Sequence, residues 1–198
     1  MVKEPRKESE GEQGDPCDPS DSVVIRRFLE GDSQAFDLLV ARYETRVRSL
    51  LFRLLWNIDD AEEVTQDTFL RVLENAQQFR AESSFKTWIM KIATNLARDR
   101  QRQMKRRPVM KPIDPSSPCE TAAGETDSPL DARAGKEERA AMQSALDRLP
   151  FLQRAALVMK ITQGMRYKEI ARALDSTEGS VKASIHEARK KVSTMLED

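Results

Sequence analysis

The sequence predicts an all-α fold, with two small helical domains joined by a Pro-rich acidic linker. Apolar residues recur at steps of three and four along most of the chain, which is the spacing of an amphipathic helix. Strand-like alternation of apolar and polar residues is not found anywhere. A segment with five prolines between residues 108 and 129 lacks an apolar stripe and divides the helical parts. The last helices are predicted to contain a helix-turn-helix.

The composition favours a cytoplasmic protein without catalytic activity. Of 198 residues, 33% are charged, and no apolar run approaches the ~20 residues that span a bilayer. The polar N-terminus lacks a signal-peptide core, so we expect no membrane insertion. His186 is the single histidine, and Cys17 and Cys119 are isolated. Since metal-spaced ligands and a Gly-rich phosphate loop are also missing, we expect no metal, no other cofactor and no enzyme.

The zero net charge of the chain conceals two basic zones. Residues 80–111 carry a net charge of +8, and residues 139–198 carry +4. The segment 112–138 between them carries −5. Basic zones of this size neutralise phosphates, so the local charge indicates a nucleic-acid partner that the total charge hides.

The first part of the chain comprises a tail and one helical domain. Residues 1–21 are acidic and lack apolar periodicity, which predicts a disordered tail. In the domain 22–107, a short helix ends at Gly31 and a long core-facing helix follows. The sequence 59–62 resembles a capping box that opens a third helix. After a loop at 79–83, Ser83 or Ser84 caps a fourth helix, and its basic end runs to Arg107.

The second part is predicted to begin after a linker at 108–128. In the domain 129–198, helices are expected at about 129–148, 150–163, 166–174 and 178–196. Val181, Ile185, Ala188 and Val192 recur at steps of four, three and four, so they form one apolar stripe on the last helix.

The opposite face of that last helix is polar and basic, as the DNA major groove requires of a recognition helix. Ser176 or Thr177 can cap the helix. Asp175 occupies the turn where glycine is usual. Aspartate tolerates the left-handed conformation less well than glycine, but far better than a branched residue would. The pattern alone is also compatible with an ordinary solvated helix in a bundle.

Three segments in order resemble bacterial RNA polymerase sigma factors of the extracytoplasmic-function (ECF) class. DAEEVTQDTFLRV at 60–72 resembles the family's polymerase-docking helix. FRAESSFKTWIMKIATNLARD at 79–99 is similar to its promoter-melting loop and helix. The segment from LPFLQR at 149–154 to residue 191 resembles its upstream-element reader. The resemblance implies that 22–107 is a sigma region 2 domain and 129–198 a sigma region 4 domain.

The resemblance also implies partners and roles for individual residues. The partners are the β and β′ subunits of the RNA polymerase core, promoter DNA and a cognate anti-sigma factor. The expected core-polymerase contacts are Asp60, Glu63, Gln66, Asp67 and Arg71. Expected contacts to −10 DNA are Arg80, Ser83, Ser84, Phe85, Lys86, Lys91, Asn95, Arg98, Asp99 and Arg102. Expected contacts to −35 DNA are Lys168, Thr177, Ser180, Lys182, Ala183, Ser184, His186 and Arg189.

Two aromatic residues in the melting segment have alternative interpretations. Trp88 is in step with Ile92 on the helix, which favours the core over an exposed melting wedge. Phe85 either stacks on a base or packs at the start of the helix.

The main alternative function is a stand-alone helix-turn-helix transcription regulator. It would account for residues 166–192 but leave the melting segment, the acidic helix and the +8 zone without a role. A helical adaptor that binds only proteins is a further alternative, and the +8 zone argues against it.

Overall fold

The computed structural model describes residues 20–79, 83–106 and 140–197, and every regular element within these ranges is helical. This confirms the all-α prediction. The helices are α1 (Asp21–Leu29), α2 (Ser33–Leu55), α3 (Ile58–Asn75), a 3-10 turn (Ala76–Gln78), α4 (Phe85–Arg106), α5 (140–147 of the described chain), α6 (Phe151–Thr162), α7 (Tyr167–Ala173) and α8 (Glu178–Glu197).

The first four helices pack around α2, which contacts α1, α3 and α4. Asp32 is the N-cap of α2, and its carboxylate accepts a hydrogen bond from the Gln34 amide at 3.0 Å. Gly31 precedes it with φ 101°, a left-handed conformation that glycine adopts without strain. Leu39 and Leu54 of α2 are completely buried or nearly so. The glycine predicted to end the short helix, Gly31, and the long helix predicted to follow it are therefore both found.

The start of α3 differs from the predicted capping box. Asn57 is the N-cap, and its side-chain oxygen accepts a hydrogen bond from the Asp60 amide at 2.9 Å. Asp59 lies within the first turn instead, where its charge favours the helix dipole. An asparagine side chain caps a helix as well as an aspartate does. The carboxylates of Asp59 and Asp60 are therefore not needed for capping and can make other contacts.

The second group consists of α5 to α8, with α8 packed against α6 and α7. Pro150 precedes the first helical residue of α6. Gly164, with φ 63°, allows the turn from α6 toward α7. The four predicted helices of this part are found in the described residues, although the predicted start at 129 lies outside them.

The two groups contact each other, because α6 packs against α2 and α7 packs against α4. Arg154 of α6 lies at the first contact with only 1% of its surface exposed. It donates a hydrogen bond to the Leu54 carbonyl at 2.9 Å and pairs with Asp147. Burial lowers the pKa of Arg154, and Asp147 opposes that shift. Because arginine keeps its charge in proteins, these two partners stabilise a buried cation.

The N-terminal boundary of the first helical group lies at the start of α1. Helix α1 begins at Asp21, the last residue of the predicted tail 1–21, and the Asp21 carboxylate accepts a hydrogen bond from Arg42 at 2.9 Å. The rest of that tail and the linker at 108–128 lie outside the described residues. In the part of the chain that is described, no helix is long and apolar enough to cross a membrane.

Candidate nucleic-acid and protein interfaces

The outer face of α8 is exposed, and its apolar stripe is buried as the spacing predicts. Val181, Ile185, Ala188 and Val192 are each at most 9% exposed. Of the eight predicted −35 residues, seven are exposed and Ser184 is half-buried. The exposed seven are Lys168, Thr177, Ser180, Lys182, Ala183, His186 and Arg189. A helix with one buried stripe and a polar opposite face is suited to entering a groove.

The turn before α8 is fixed by local hydrogen bonds. Thr177 caps the helix, and its hydroxyl oxygen accepts a hydrogen bond from the Ser180 amide at 3.2 Å. Asp175 has φ 50°, so it occupies the left-handed region as expected from its place in the turn. The Ser176 amide donates to the Ala171 carbonyl at 2.8 Å and closes the end of α7. These bonds set the angle between α7 and α8.

Lys182, on the exposed face of α8, is held by two neighbours. Its Nζ lies 2.9 Å from the Glu178 carboxylate and 5.6 Å from the centre of the Tyr167 ring. Lys160 of α6 lies 4.8 Å from the same ring. Tyr167 therefore brings two cations together at one edge of the recognition helix.

The start of α4 separates the predicted melting residues into exposed and buried ones. Ser84 is exposed and caps the helix, with its hydroxyl oxygen 3.3 Å from the Thr87 amide nitrogen. Phe85 is only 3% exposed. Its ring centre lies 5.1 Å from that of Tyr43 and 5.9 Å from that of Trp88. The burial of this ring favours packing at the start of the helix, the second interpretation of Phe85, over stacking on a base.

Trp88 is half-buried against the same aromatic cluster, which favours the core interpretation. Arg80 lies outside the described residues, and Ser83 is half-buried beside the exposed Ser84.

The remaining predicted −10 residues lie along α4. The Arg98 guanidinium donates to the Asn95 side-chain oxygen at 2.6 Å, which orients both groups. Arg102 and Asp99 are exposed and 3.6 Å apart. Further toward the N-terminus, Lys86 and Lys91 are half-buried because both contact the second helical group. The sequence places all of these groups on one helix but gives no sign of those contacts.

The acidic side of α3 carries an ion pair that the sequence analysis missed. Arg100 of α4 donates from Nε to Asp60 at 2.7 Å and from a terminal nitrogen to Glu63 at 3.1 Å. The hydrogen bond that Arg100 donates to Asp60 raises the pKa of Arg100, and the bond to Glu63 adds to the effect. Two of the five predicted polymerase contacts are thus partly neutralised from within the chain. The high density of arginines near residue 100 was the only sequence signal.

Farther along α3, the surface is exposed and partly apolar. Asp67, Arg71 and Leu70 line an open groove with Glu74 and Leu96. Leu70 is 55% exposed and, together with the exposed Leu73, gives α3 an apolar edge. The predicted residue Gln66 is exposed on the same helix. An apolar edge bordered by charged groups matches the arrangement of a protein interface, in which an apolar centre has a polar rim.

Among the residues that the structure describes, no group of three or more His, Cys, Asp or Glu side chains is placed to hold a metal ion.

The chain matches two family models, one in each helical group. Residues 39–107 match Sigma-70 region 2, and residues 139–192 match Sigma-70 region 4. The ECF RNA polymerase sigma-E factors of Salmonella typhimurium and Escherichia coli K12 are each 30% identical over 182 residues. The match covers 90% of this chain and 95% of each relative.

Two solved structures share the fold. The structure of CnrH in complex with the cytosolic domain of CnrY has a TM-score of 0.67 and 24% identity, and covers 89% of this chain and 97% of that one. The sigma factor RpoE of Bartonella quintana, in complex with the anti-sigma factor NepR, has a TM-score of 0.65 and 20% identity. That match covers 82% of this chain and 96% of the other. A stand-alone regulator is not favoured by matches that extend over both helical groups, and the chain belongs to the ECF class of RNA polymerase sigma factors.

Proposed function

We propose that this sigma factor directs RNA polymerase to its promoters through three separate surfaces, on α3, α4 and α8. The observation that carries the proposal is the exposed basic face of α8, which lies opposite the buried apolar stripe of the same helix. The chain also exposes an acidic face on α3. A DNA reader and a protein-docking helix on one chain suit a factor that brings an enzyme to DNA. Catalysis belongs to the polymerase, and the factor works in the cytoplasm, where its partner acts.

The surface of α8 reads the −35 element. His186 and Arg189 lie nearly one turn apart on the exposed side, so both reach into the same groove. Arginine makes two hydrogen bonds to a guanine edge. The hydroxyl of serine and the ring nitrogens of histidine make hydrogen bonds to bases or phosphates. Lys168 and Thr177 lie at the edge of this face and contact the DNA backbone.

The surface of α4 captures the −10 element. Opening a duplex unstacks bases at a cost of a few kcal/mol, which must be offset by new hydrogen bonds and stacking. Asn95 and Asp99 supply polar groups for base edges, and Arg98 and Arg102 hold phosphates. Because Phe85 is buried, the stacking partner for a captured base must come from another group of this region. Ser84 at the exposed start of α4 donates or accepts a hydrogen bond there.

The surface of α3 docks on the polymerase core. Gln66, Asp67 and Arg71 provide charged and hydrogen-bonding groups, and the exposed Leu70 supplies an apolar anchor between them. A patch with an apolar centre and a polar rim gives affinity from the former and specificity from the latter. Asp60 and Glu63 take part while remaining bonded to Arg100, which holds them in position.

An anti-sigma factor is the further partner that we propose. CnrH and RpoE were both solved as complexes, with the cytosolic domain of CnrY and with NepR. A protein that covers the basic faces of α4 and α8 would block both promoter contacts at once.

The docking surface is tested by reversing one charge on α3. Asp67→Lys should weaken binding to purified core polymerase by about tenfold or more, because close like charges replace attraction. Asp37→Lys, an equal charge change at an exposed site on α2, should bind normally. The test uses gel filtration or fluorescence anisotropy of the labelled chain. If the two variants bind the core equally, α3 is not the docking surface.

A further inference from the structure

Arg100 lies in the middle of the basic segment of α4, but it faces away from the side proposed to hold DNA. Successive residues of a helix are 100° apart, so Arg98 and Arg102 point about 160° away from Arg100. The guanidinium of Arg100 reaches α3 instead and bonds to Asp60 and Glu63. Arg100 is thus a cation of the +8 zone that serves the α3 surface.

The two carboxylates that bind Arg100 differ in their exposure. The Nε of Arg100 donates to Asp60 at 2.7 Å, and both terminal nitrogens donate to the two oxygens of Glu63, one of them at 3.1 Å. The Asp60 side chain is 14% exposed, that of Arg100 27% and that of Glu63 56%. The planar guanidinium matches the two oxygens of a carboxylate. Asp60 is therefore an inner anchor, and Glu63 is the outer group whose orientation Arg100 fixes.

This ion pair borders the groove between α3 and α4. The groove is lined by Asp67, Leu70, Arg71, Glu74 and Leu96. Glu63 lies one helical turn before Asp67 on α3, and Arg100 lies one turn after Leu96 on α4, so both continue the faces that line the groove. The oriented carboxylate of Glu63 therefore belongs to the same surface as the exposed Leu70.

The bonds to Arg100 leave Glu63 with acceptor sites for a partner. A carboxylate offers about four acceptor positions, and Arg100 uses one on each oxygen. Helix α3 carries six carboxylates and one arginine, so a basic partner group suits this surface. Because the Glu63 side chain is already fixed, it loses less conformational freedom when that partner binds.

We propose that Arg100 is a positioning residue for polymerase docking. It holds Glu63 in the orientation that accepts a basic group of the core, and Asp60 anchors Arg100 instead of contacting the core itself. The inference rests on the proposed docking surface of α3. Lysine does not replace Arg100, because a single ammonium group lacks the planar pair of donors that fixes a carboxylate.

The test measures the affinity of the labelled full-length chain for purified core polymerase by fluorescence anisotropy. Arg100→Lys and Arg100→Gln should each weaken binding by about two- to tenfold, the range expected when one fixed side chain becomes mobile. Arg106→Lys makes the same exchange at an exposed site near the end of α4 and should bind as the wild type does. Urea titration of each variant measures its stability separately.

A double-mutant cycle shows whether Arg100 acts through Glu63. Glu63→Gln alone should weaken core binding, and adding Arg100→Lys should weaken it no further. Independent losses that multiply in the double variant would overturn the inference. Wild-type binding by Arg100→Lys with tighter binding by Arg100→Gln would show an effect of charge alone. Normal affinity in both variants, with unfolding at lower urea concentration, would show a purely structural ion pair.

Two comparisons separate this inference from the proposed function. Normal core binding by Asp67→Lys would reject the α3 docking surface and this inference with it. Weak binding by Asp67→Lys together with normal binding by Arg100→Lys would reject this inference alone. With core polymerase saturated, Arg100→Lys should also leave promoter affinity unchanged. A loss of promoter affinity with normal core binding would make Arg100 a DNA contact and overturn the assignment.

Discussion

Truncation of Arg189 is the sharpest test of the recognition face on α8. Arg189 is exposed, and within the described part of the chain its guanidinium has no hydrogen bond or ion pair. Its neighbour Ala188 anchors the helix in the core. Arg189→Ala should therefore change the free energy of unfolding by less than about 0.5 kcal/mol. Any loss of promoter binding then reflects a lost DNA contact.

The size of that loss follows from the kind of contact. A side chain that bonds bidentately to a base contributes about 1–3 kcal/mol of discrimination, and 1.4 kcal/mol corresponds to tenfold in affinity. Because no internal bond holds Arg189 in the free protein, no bond has to break before its guanidinium contacts DNA. We expect promoter affinity of the Arg189→Ala holoenzyme to fall by about tenfold. Lys182, which is already paired with Glu178, should contribute less.

The assay is promoter binding and run-off transcription with reconstituted holoenzyme. Lys191→Ala is the matched control, because it removes the same charge from the same helix about 160° away around the axis. Core binding, followed by gel filtration, should be normal in both variants. Equal promoter affinity for Arg189→Ala and Lys191→Ala would refute the recognition face, as would a loss of core binding in Arg189→Ala.

Three further predictions concern the scaffold. In urea titrations, Arg154→Ala should lower the free energy of unfolding by about 2–4 kcal/mol, because a buried carbonyl of α2 loses its donor. The control Arg148→Ala, at an exposed site, should change the free energy of unfolding by less than about 0.5 kcal/mol. Phe85→Ala should cost about 3–5 kcal/mol by the same measurement, and a small loss would contradict the core position of this ring. The hydrogen bond from Arg27 holds the pKa of Asp32 below its usual range. Its stabilising effect is therefore complete above the ordinary carboxyl pKa and lost as the pH falls through the lowered one. Between about pH 5 and about pH 3, the Tm of the wild type should fall more than that of Asp32→Asn, and parallel curves would contradict this.

The helices and the α8 face could be predicted because they depend on local patterns. Apolar spacing of three and four gives the buried stripe from Val181 to Val192 directly, and the exposed face is its complement. The same logic gave the long α2 and the end of α1 at Gly31. These features need no knowledge of what the helix packs against.

The missed features depend on which helix lies opposite. Phe85 is in step with the core of α4, but only the structure shows that Tyr43 packs against its ring. Arg100 is one of many cations in a basic segment, and its pairing with Asp60 spans 40 residues. Leu73 continues the apolar spacing of α3, yet it is 46% exposed because none of the helices that the structure describes covers that edge.

Contacts between the two helical groups were also beyond a local pattern. LPFLQR at 149–154 carries a family resemblance, but nothing in it indicates that Arg154 reaches the end of α2. Asp175 was noted only as a departure from glycine. Its pairing with Lys91, 84 residues away, gives that departure a physical reason.

Run-off transcription with purified bacterial core polymerase tests the central claim most directly. The template is the fragment upstream of the chain's own coding region, with and without the protein, and core binding is followed in parallel by gel filtration. We predict a transcript that depends on the protein and that Asp67→Lys abolishes while Asp37→Lys preserves it. Failure of the wild-type chain to bind core polymerase would contradict the account.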